Sequence, residues 1–540
     1  MKDISSTGSF IDFTLENFIY VDKTEYIPKL VKLKRVFISR PRRFGKSLTL
    51  DTIATLFETG VEPYFKGTWI YDKWTEPTYP VLRLNFLNLD NFSIDDFKNK
   101  LNSYITEFAN KIGVKEYAEK KEPEDSIDSM LEKLREEKRQ IVILIDEYDY
   151  QLTSNINHDD LYKQFQQKIK RFYANIKDKL AIKFLGITGV TRLKDVEIFS
   201  IGSDINDITN ESAFSQLIGF TRDEIKKYYI DHLKLAASYE NKCRVEEVTD
   251  AQIESMLDMM AQNYDGYCFD EDYEKKVFNT WSVNKFFQTM VGKKKVQFGE
   301  YWYDNGGLPS ILVNYLKTHE LNIFEYLDKD KFLKVSSDDF KNPTALTTIN
   351  QNVLMCQTGY LTLRSDLNKT STVALGIPNG EIYKALNRLL ANNIFKGNTD
   401  ITDDYGRSLL EVGTVDDIIN LFNSALNSVS YDNYPIVSES SVQNMLKLYL
   451  LGAHQKVLSE VHEAKGRADL VVNTDNRRIV FEFKYAKNET EAKSKLLDAV
   501  EQIKTRDYGN IVPKKTELLR IATVFNADPK VRAFTEFQLV

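Results

Sequence analysis

Cysteine is scarce: Cys243, Cys268 and Cys356 are the only three, they lie far apart, and none falls in a CxxC pair. That excludes a disulfide framework and a thiolate zinc site, and fits buried thiols in a reducing compartment. Histidine is scarce too, with five in all. His454 and His462 stand near each other without a third ligand, so they make no zinc site. No run of about 18 apolar residues occurs, so no membrane-spanning helix is expected. The first ten residues are polar and lack the apolar stretch of a signal peptide. The expectation is a cytoplasmic protein with no membrane association. Positive charge is not in excess either. The 72 Lys and Arg against 79 Asp and Glu give a formal net charge of -7, so any nucleic-acid surface must be a local patch.

What is present is the balance of a globular chain, 42% hydrophobic and 28% charged, enough for a sizeable core. Its length predicts about three or four domains. Val36–Ser39 reads as a buried strand, followed by a tight loop and a helix over 47–58. Strands are expected over 79–86, 140–145 and 180–187, with helices over 95–111 and 126–138 between them. Strand and helix alternating in this way predict a parallel sheet covered by helices. From about Thr221 to Leu327 helical spacing dominates. Segments 352–364 and 371–377 read as strands around a turn. Helices over 415–427 and 438–452 lead into a final α/β unit. The expected domains are 1–225, a mostly helical region 226–370, a connecting α/β region 371–435, and 436–540.

Arg40-Pro41-Arg42-Arg43-Phe44-Gly45-Lys46-Ser47 ends as a Walker A phosphate loop does, after a strand and before a helix. Gly45 lets backbone approach phosphate, and the N–H groups that open the helix attract the anion. Lys46 can reach the β and γ phosphates, and the Ser47 hydroxyl can ligate Mg²⁺. Arg40 stands where the common motif has its first glycine. About a hundred residues on, Ile141–Ile145 is an apolar strand that ends in Asp146-Glu147, the Walker B pattern. Asp146 would hold the magnesium shell and Glu147 would polarise the attacking water. A third strand ends in Thr188-Gly189-Val190-Thr191-Arg192. There Thr188 could sense the γ-phosphate and Arg192 could stabilise transferred charge, with a strand-end turn and a surface arginine as the even alternative. The expected nucleotide-binding set is Arg43, Phe44, Gly45, Lys46, Ser47, Leu48, Asp146, Thr188 and Arg192.

These stretches, with Tyr20-Val21-Asp22-Lys23-Thr24, Tyr264-Asp265-Gly266-Tyr267 and Phe278-Asn279-Thr280-Trp281-Ser282, together resemble the bacterial AAA-ATPase-like family over roughly residues 10–285. The resemblance implies that a residue other than glycine at Arg40 is normal, that Tyr20–Lys23 lies near the nucleotide base, and that a PD-(D/E)XK nuclease-superfamily domain commonly ends the chain.

Near the C-terminus, Gly466–Val472 and Arg477–Tyr485 read as two strands joined by a polar turn. Residues two apart share a face, so Glu482 and Lys484 point one way and Phe481, Phe483 and Tyr485 the other. A solvated face is the ordinary reading. With Asp469 on the partner strand, however, two carboxylates can gather around a hard cation such as Mg²⁺. Lys484 can then orient water or neutralise developing charge. This Asp469…Glu482-x-Lys484 pattern resembles the PD-(D/E)XK superfamily. The resemblance also implies Glu460 as the acid on the preceding helix or its exit, and Gln502 and Tyr508 as the residues after the next helix. Lys504, Arg506, Lys514 and Lys515 could add a basic patch.

The expectation is therefore an α/β protein: a P-loop NTPase sheet, a mostly helical middle and a restriction-endonuclease-like C-terminal domain. Its function is expected to be ATP binding and hydrolysis coupled to Mg²⁺-dependent cleavage of nucleic acid, DNA above all. Glu147, Asp469, Glu482 and Lys484 are the catalytic candidates, and Ser47, Asp146, Glu460, Asp469 and Glu482 the metal ligands. Homo-oligomer formation is a further expectation. The alternative is a nucleotide-switched binding or regulatory protein that cleaves nothing.

Overall fold

In β1 (Arg35–Ser39) every residue is buried, and the same holds for β3 (Ile141–Asp146). Strands buried on both faces belong in the middle of a sheet covered by helices. With β2 (Val81–Asn85), β4 (Ile182–Gly189) and β5 (Asn206–Asp207) they form one sheet in the order β2-β3-β4-β1-β5, parallel at every pairing. The strands before the phosphate loop and the Asp146-Glu147 pair are thus both neighbours of β4. All of these strands present their carboxyl ends to one edge, where open α/β sheets bind ligands. The expected P-loop sheet flanked by helices is what the structure has.

This computed structural model describes residues 1–177, 179–194, 204–302, 310–316, 323–342, 344–369, 371–395, 404–453, 455–463, 466–508 and 517–540. They fall into two compact units, one within 1–319 and 332–382, the other within 320–331 and 383–540. Among them no helix is long and apolar enough to cross a membrane.

In the first unit the helices Arg222–Tyr228, Ile230–Asn241, Asp250–Tyr264 and Thr280–Lys293 share one core of Ile225, Leu233, Met256, Leu257, Phe286 and Phe287. Ile19 and Val21 belong to that same core, so the N-terminal segment is fixed to the helical region as well as to the helix Lys46–Thr59, where Phe10 N donates to Asp51 Oδ2 at 2.6 Å. A small antiparallel sheet follows, with β6 (Leu333–Ser336), β7 (Thr362–Leu363) and β8 (Thr372–Gly376) in the order β6-β8-β7. Segment 352–364 is not a strand as expected. It begins as the helix Gln351–Gln357, because the Asn350 side chain accepts from the N–H groups of Asn352 and Val353. That cap settles a short apolar run whose periodicity was ambiguous.

The second unit holds the helices Val415–Asn427 and Glu439–Gly452 and a mixed sheet. Its strands are β9 (Lys456–Glu463), β10 (Gly466–Asn473), β11 (Arg477–Ala486), β12 (Glu517–Asn526) and β13 (Ala533–Leu539), in the order β13-β12-β11-β10-β9. Only β11 and β12 pair parallel, joined through the helix Glu489–Arg506. Ala499, Val500 and Ile503 of that helix pack on Ala468, Val480 and Ala522.

Gly189 ends β4 where the chain passes closest to the turn after β3. A Cβ there would overlap the Tyr148 ring and lie 2.7 Å from Asp149 Oδ1. Both side chains are buried, and Asp149 already accepts from Thr191 N at 2.8 Å and from the Thr191 hydroxyl. Gly189→Ala should therefore destabilise the first unit by about 1–3 kcal/mol. Calorimetry of the full chain should show one melting transition lowered and any other unmoved.

Candidate functional site

The phosphate loop is shaped by its backbone. Gly45 has φ +102° with nothing near its missing Cβ, and Arg43 is left-handed at φ +67°. The helix Lys46–Thr59 then starts with no side chain capping its first turn. Its first N–H groups are therefore free to meet an anion. Two loop carbonyls are taken up by side-chain donors. Thr280 Oγ1 donates to Arg43 O at 3.1 Å, and Trp302 Nε1 donates to Arg42 O at 3.2 Å. The Arg43 guanidinium lies 4.2 Å from the centroid of the Trp281 ring. Arg40 does not line the site. Its buried Nη1 donates to Ser39 O at 2.9 Å and Thr209 O at 2.6 Å, its guanidinium sits over Phe269, and burial pushes its pKa down to about 9.

Lys46 is buried at the head of the helix, where Nζ donates to Arg40 O at 3.0 Å and Pro41 O at 3.2 Å and stands 3.9 Å from Glu147 Oε1. Ser47 Oγ donates to Asp146 Oδ2 at 2.6 Å, and Thr188 Oγ1 donates to Asp146 Oδ1 at 2.6 Å. Glu147 is left-handed at φ +52°. Burial pushes its carboxyl up, Lys46 pulls it back, and Asp149 and Asp146 push it up further. Ser47, Asp146, Thr188, Lys46 and Glu147 are thus brought together.

Arg192 is held elsewhere. Its Nε donates to Asp207 Oδ2 at 2.7 Å, and its other donors reach the carbonyls of Phe340 and Lys341. It does not line the cavity beside the loop.

That cavity has a volume of about 360 Å³ and is lined by Arg43, Phe44, Gly45, Lys46, Ser47, Leu48 and Glu147. Tyr20, Val21 and Lys23 line it too, with Lys23 Nζ bound to Gln216 O and Glu224, each at 2.7 Å. Sequence reasoning missed the rest of the wall: Ser5–Gly8, Leu217–Phe220, Tyr229, Trp281 and Asn284. Only Trp281 lies in a stretch that the sequence singles out, Phe278–Ser282, and there without a site role; tertiary packing alone collects the others.

The second candidate lies in the mixed sheet. Leu470 pairs with Phe481 in the β10–β11 ladder, which sets Asp469 beside Glu482. Asp469 Oδ2 accepts from Phe483 N at 2.8 Å, so the carboxylate takes a backbone donor just past the Leu470–Phe481 pair of the ladder. Glu482 is wholly buried, at 0% exposure, so its face is not the solvated one that alternation would ordinarily give. Lys484 Nζ donates to Glu482 Oε1 at 2.8 Å, while Glu482 Oε2 is buried with no hydrogen-bond partner among the described residues. Burial and then Asp469 push the Glu482 carboxyl up to about 7, against the pull of Lys484.

Glu460 is not on a helix or its exit: the helix ends at Gly452, and Glu460 belongs to β9. The apolar residues Val457, Leu458 and Val461 do not alternate, and it is pairing with β10 that makes the segment a strand. Its register, with Ser459 opposite Leu470 and Val461 opposite Ala468, sets the Glu460 backbone opposite Asp469. Its side chain lies outside the described residues, as do His454, the His462 side chain, Lys514 and Lys515.

The helix does bring an acid, which sequence reasoning missed. Glu439, in its first turn after the Ser438 cap, stands 3.6 Å from Lys484 Nζ. Gln502 Nε2 donates to Tyr508 OH at 3.3 Å. Among the described residues no group of three His, Cys, Asp or Glu side chains is gathered as a metal site.

Comparison with known proteins agrees with both halves. Residues 5–199 match the family model described as "Predicted AAA-ATPase", and residues 437–534 match that of the PD-(D/E)XK nuclease superfamily. A protein of Azotobacter chroococcum mcd 1, described as "Uncharacterized protein in vnfD 5'region", is 25% identical over 528 residues, covering 95% of this chain and 94% of its own. Among solved structures, Cdc6p from Pyrobaculum aerophilum is 12% identical at a TM-score of 0.23, covering 68% of this chain and 93% of that one. The Aeropyrum pernix ORC1 protein in complex with DNA is 11% identical at 0.26, covering 69% and 95%. The chain therefore carries an AAA-ATPase-like domain at residues 5–199 and a PD-(D/E)XK nuclease-superfamily domain at residues 437–534.

Proposed function

We propose that the protein binds and hydrolyses ATP at the phosphate loop and cleaves nucleic-acid phosphodiester bonds, DNA above all, at the Asp469–Glu482–Lys484 cluster. The observation that carries this reading is Glu482 Oε2, a buried carboxylate oxygen that has no hydrogen-bond partner among the described residues and stands beside a second carboxylate. Burying an unpaired charged oxygen is costly unless a cation completes it.

Two carboxylates fit a hard divalent ion such as Mg²⁺. At the loop, the Ser47 hydroxyl and Asp146, in contact at 2.6 Å, are the hard oxygen donors that fit the ion of a Mg-nucleotide. When bound, a divalent ion at either place supplies Lewis-acid polarisation of a phosphoryl oxygen.

The chain's own groups do the rest. Lys46 holds nucleotide phosphate together with the N–H groups that open its helix, and Thr188 keeps Asp146 in place. Glu147 orients water and holds its proton. At the other cluster Asp469 and Glu482 hold the ion, and Lys484 stabilises charge on the phosphate. Glu439, 3.6 Å from Lys484 Nζ, helps Glu482 position that ammonium. The alternative, nucleic-acid binding without cleavage, leaves the orphaned oxygen of Glu482 without a purpose.

Lys46→Ala should weaken Mg-ATP binding by about 1.5–3 kcal/mol, the worth of a charge-assisted contact. Glu147→Gln should bind as tightly as wild type and release phosphate far more slowly. Nucleotide titration and a phosphate-release assay check both, and equal hydrolysis by wild type and Glu147→Gln would remove Glu147 from its role.

In the second unit, Asp469→Ala and Glu482→Gln should lose Mn²⁺ affinity and cleavage together. Lys484→Ala should keep the affinity and lose on the order of a hundredfold or more in rate. Plasmid and single-stranded DNA cleavage with and without ATP, beside calorimetric Mn²⁺ titration, reads all three and any coupling to nucleotide. Cleavage that survives Asp469→Ala in nuclease-free preparations overturns the site.

A further inference from the structure

Gly466 opens β10 three residues before Asp469, and its backbone does not demand glycine: no positive φ is present there. What demands it is space. A Cβ at Gly466 would lie 2.5 Å from Arg506 Cδ, 3.2 Å from Arg506 Cγ and 3.3 Å from the Tyr508 ring. The stem of Arg506 therefore lies across the start of the strand that carries Asp469. At about 3.3 Å per residue, this crossing is about 10 Å along the strand from Asp469.

The arginine is held there by a built platform. Arg506 is the last residue of the helix Glu489–Arg506, and Asp507, left-handed at φ +49°, turns the chain sharply. Arg520 fixes that turn, with Nη2 donating to Asp507 Oδ1 at 2.8 Å and Nε donating to Tyr508 O at 2.5 Å. Tyr508 is fully buried, and its hydroxyl accepts from Arg506 Nη1 at 2.9 Å as well as from Gln502. Asp507, the acid next to Arg506 in the chain, is thus spent on Arg520. Arg506 is an exposed residue whose guanidinium is fixed at one edge by a neutral hydroxyl. Its pKa is raised, first by Tyr508 and further by Glu482 and Asp469, whose charges reach it. A planar fork of donors held rigidly beside a carboxylate cluster suits the phosphate of a polymer that runs past that cluster.

We infer that Arg506 is a phosphate-binding residue for the nucleic-acid strand, gripping a phosphate that flanks the one at the Asp469–Glu482 cluster, and that position 466 is glycine so that Arg506 can lie there. The inference rests on the reading of that cluster as the place where nucleic acid is engaged. Among the described basic residues near it, Arg506 is the one whose stem meets the Gly466 position of β10.

The test is fluorescence anisotropy of the full chain with labelled single-stranded and duplex DNA across a salt series in EDTA, so that no cleavage intervenes. Wild type is compared with Arg506→Gln, Arg506→Lys, Gly466→Ala and the double variant Gly466→Ala/Arg506→Gln. Arg506→Gln should weaken binding about tenfold or more. It should also lower the slope of log affinity against log salt by about 0.7 for single strands or 0.9 for duplex, the signature of one lost phosphate contact. A merely structural arginine would not move that slope.

Arg506→Lys should restore the slope but not the full affinity. Gly466→Ala keeps every charge and should still weaken binding severalfold, and the double variant should bind no more weakly than Arg506→Gln alone. Wild-type affinity and slope in Arg506→Gln, or fully additive losses in the double variant, overturn the inference. Loss of binding in these variants together with a wild type that never cleaves with Mn²⁺ would keep this phosphate site and refute the nuclease reading. Cleavage by a wild type whose Arg506 variants bind normally would do the reverse.

Discussion

Asp146 bridges three strand ends. It sits at the carboxyl end of β3, is nearly buried, and accepts from Ser47 at the head of the helix after β1 and from Thr188 at the end of β4. A buried carboxylate is tolerable only when its oxygens are satisfied. Here both are, so the cost of burying the charge fixes the spacing of loop, β3 and β4 to within a hydrogen bond. Lys46 and Glu147 inherit their positions from that anchor: each is the chain neighbour of a residue in it.

The loop itself is also held through its carbonyls. The carbonyls of Arg42 and Arg43 receive donors from Trp302 and Thr280, which belong to the region after the sheet. With those carbonyls occupied, the loop's N–H groups are left to face the cavity. Left-handed backbone at Arg43 and Glu147 is uncommon for residues with a Cβ, and such conformations persist only where surrounding contacts over-determine them. At Arg43 the contacts are visible: Trp281 under the guanidinium and Thr280 on the carbonyl. The helical region is therefore part of the loop's own conformation.

The second unit solves a different problem. At the phosphate loop the buried acid is fully bonded, whereas in β11 Glu482 keeps one buried oxygen without a hydrogen-bond partner among the described residues. Lys484 and Asp469 act on it in opposite directions, and burial dominates. A sheet that only needed stability would place an apolar residue there, since an unsatisfied buried polar group costs more than it returns. On the other face of the strand Phe481 stacks on Phe483, and the two rings meet Phe422 and Phe534 at a tilt.

Much of this was legible in the chain. Continuous apolar runs gave β1, β3 and β4 because a strand buried on both faces must be apolar throughout. Gly45-Lys46-Ser47 and Asp146-Glu147 were legible because each motif concentrates its chemistry in a few adjacent residues. Asp469 and Glu482-x-Lys484 could be read because strand alternation fixes which residues share a face. Tertiary structure alone decided the rest. The strand count could not say that β4 would stand between β1 and β3, nor that Arg192 would be spent on Asp207. Alternation suggested a wet face for Glu482, and only packing on both sides of β11 buried it. Glu439 looked like any acid in a helix's first turn until the fold carried it to Lys484, 45 positions along the chain. Local rules are written in neighbours along the sequence, and these contacts are made by neighbours in space.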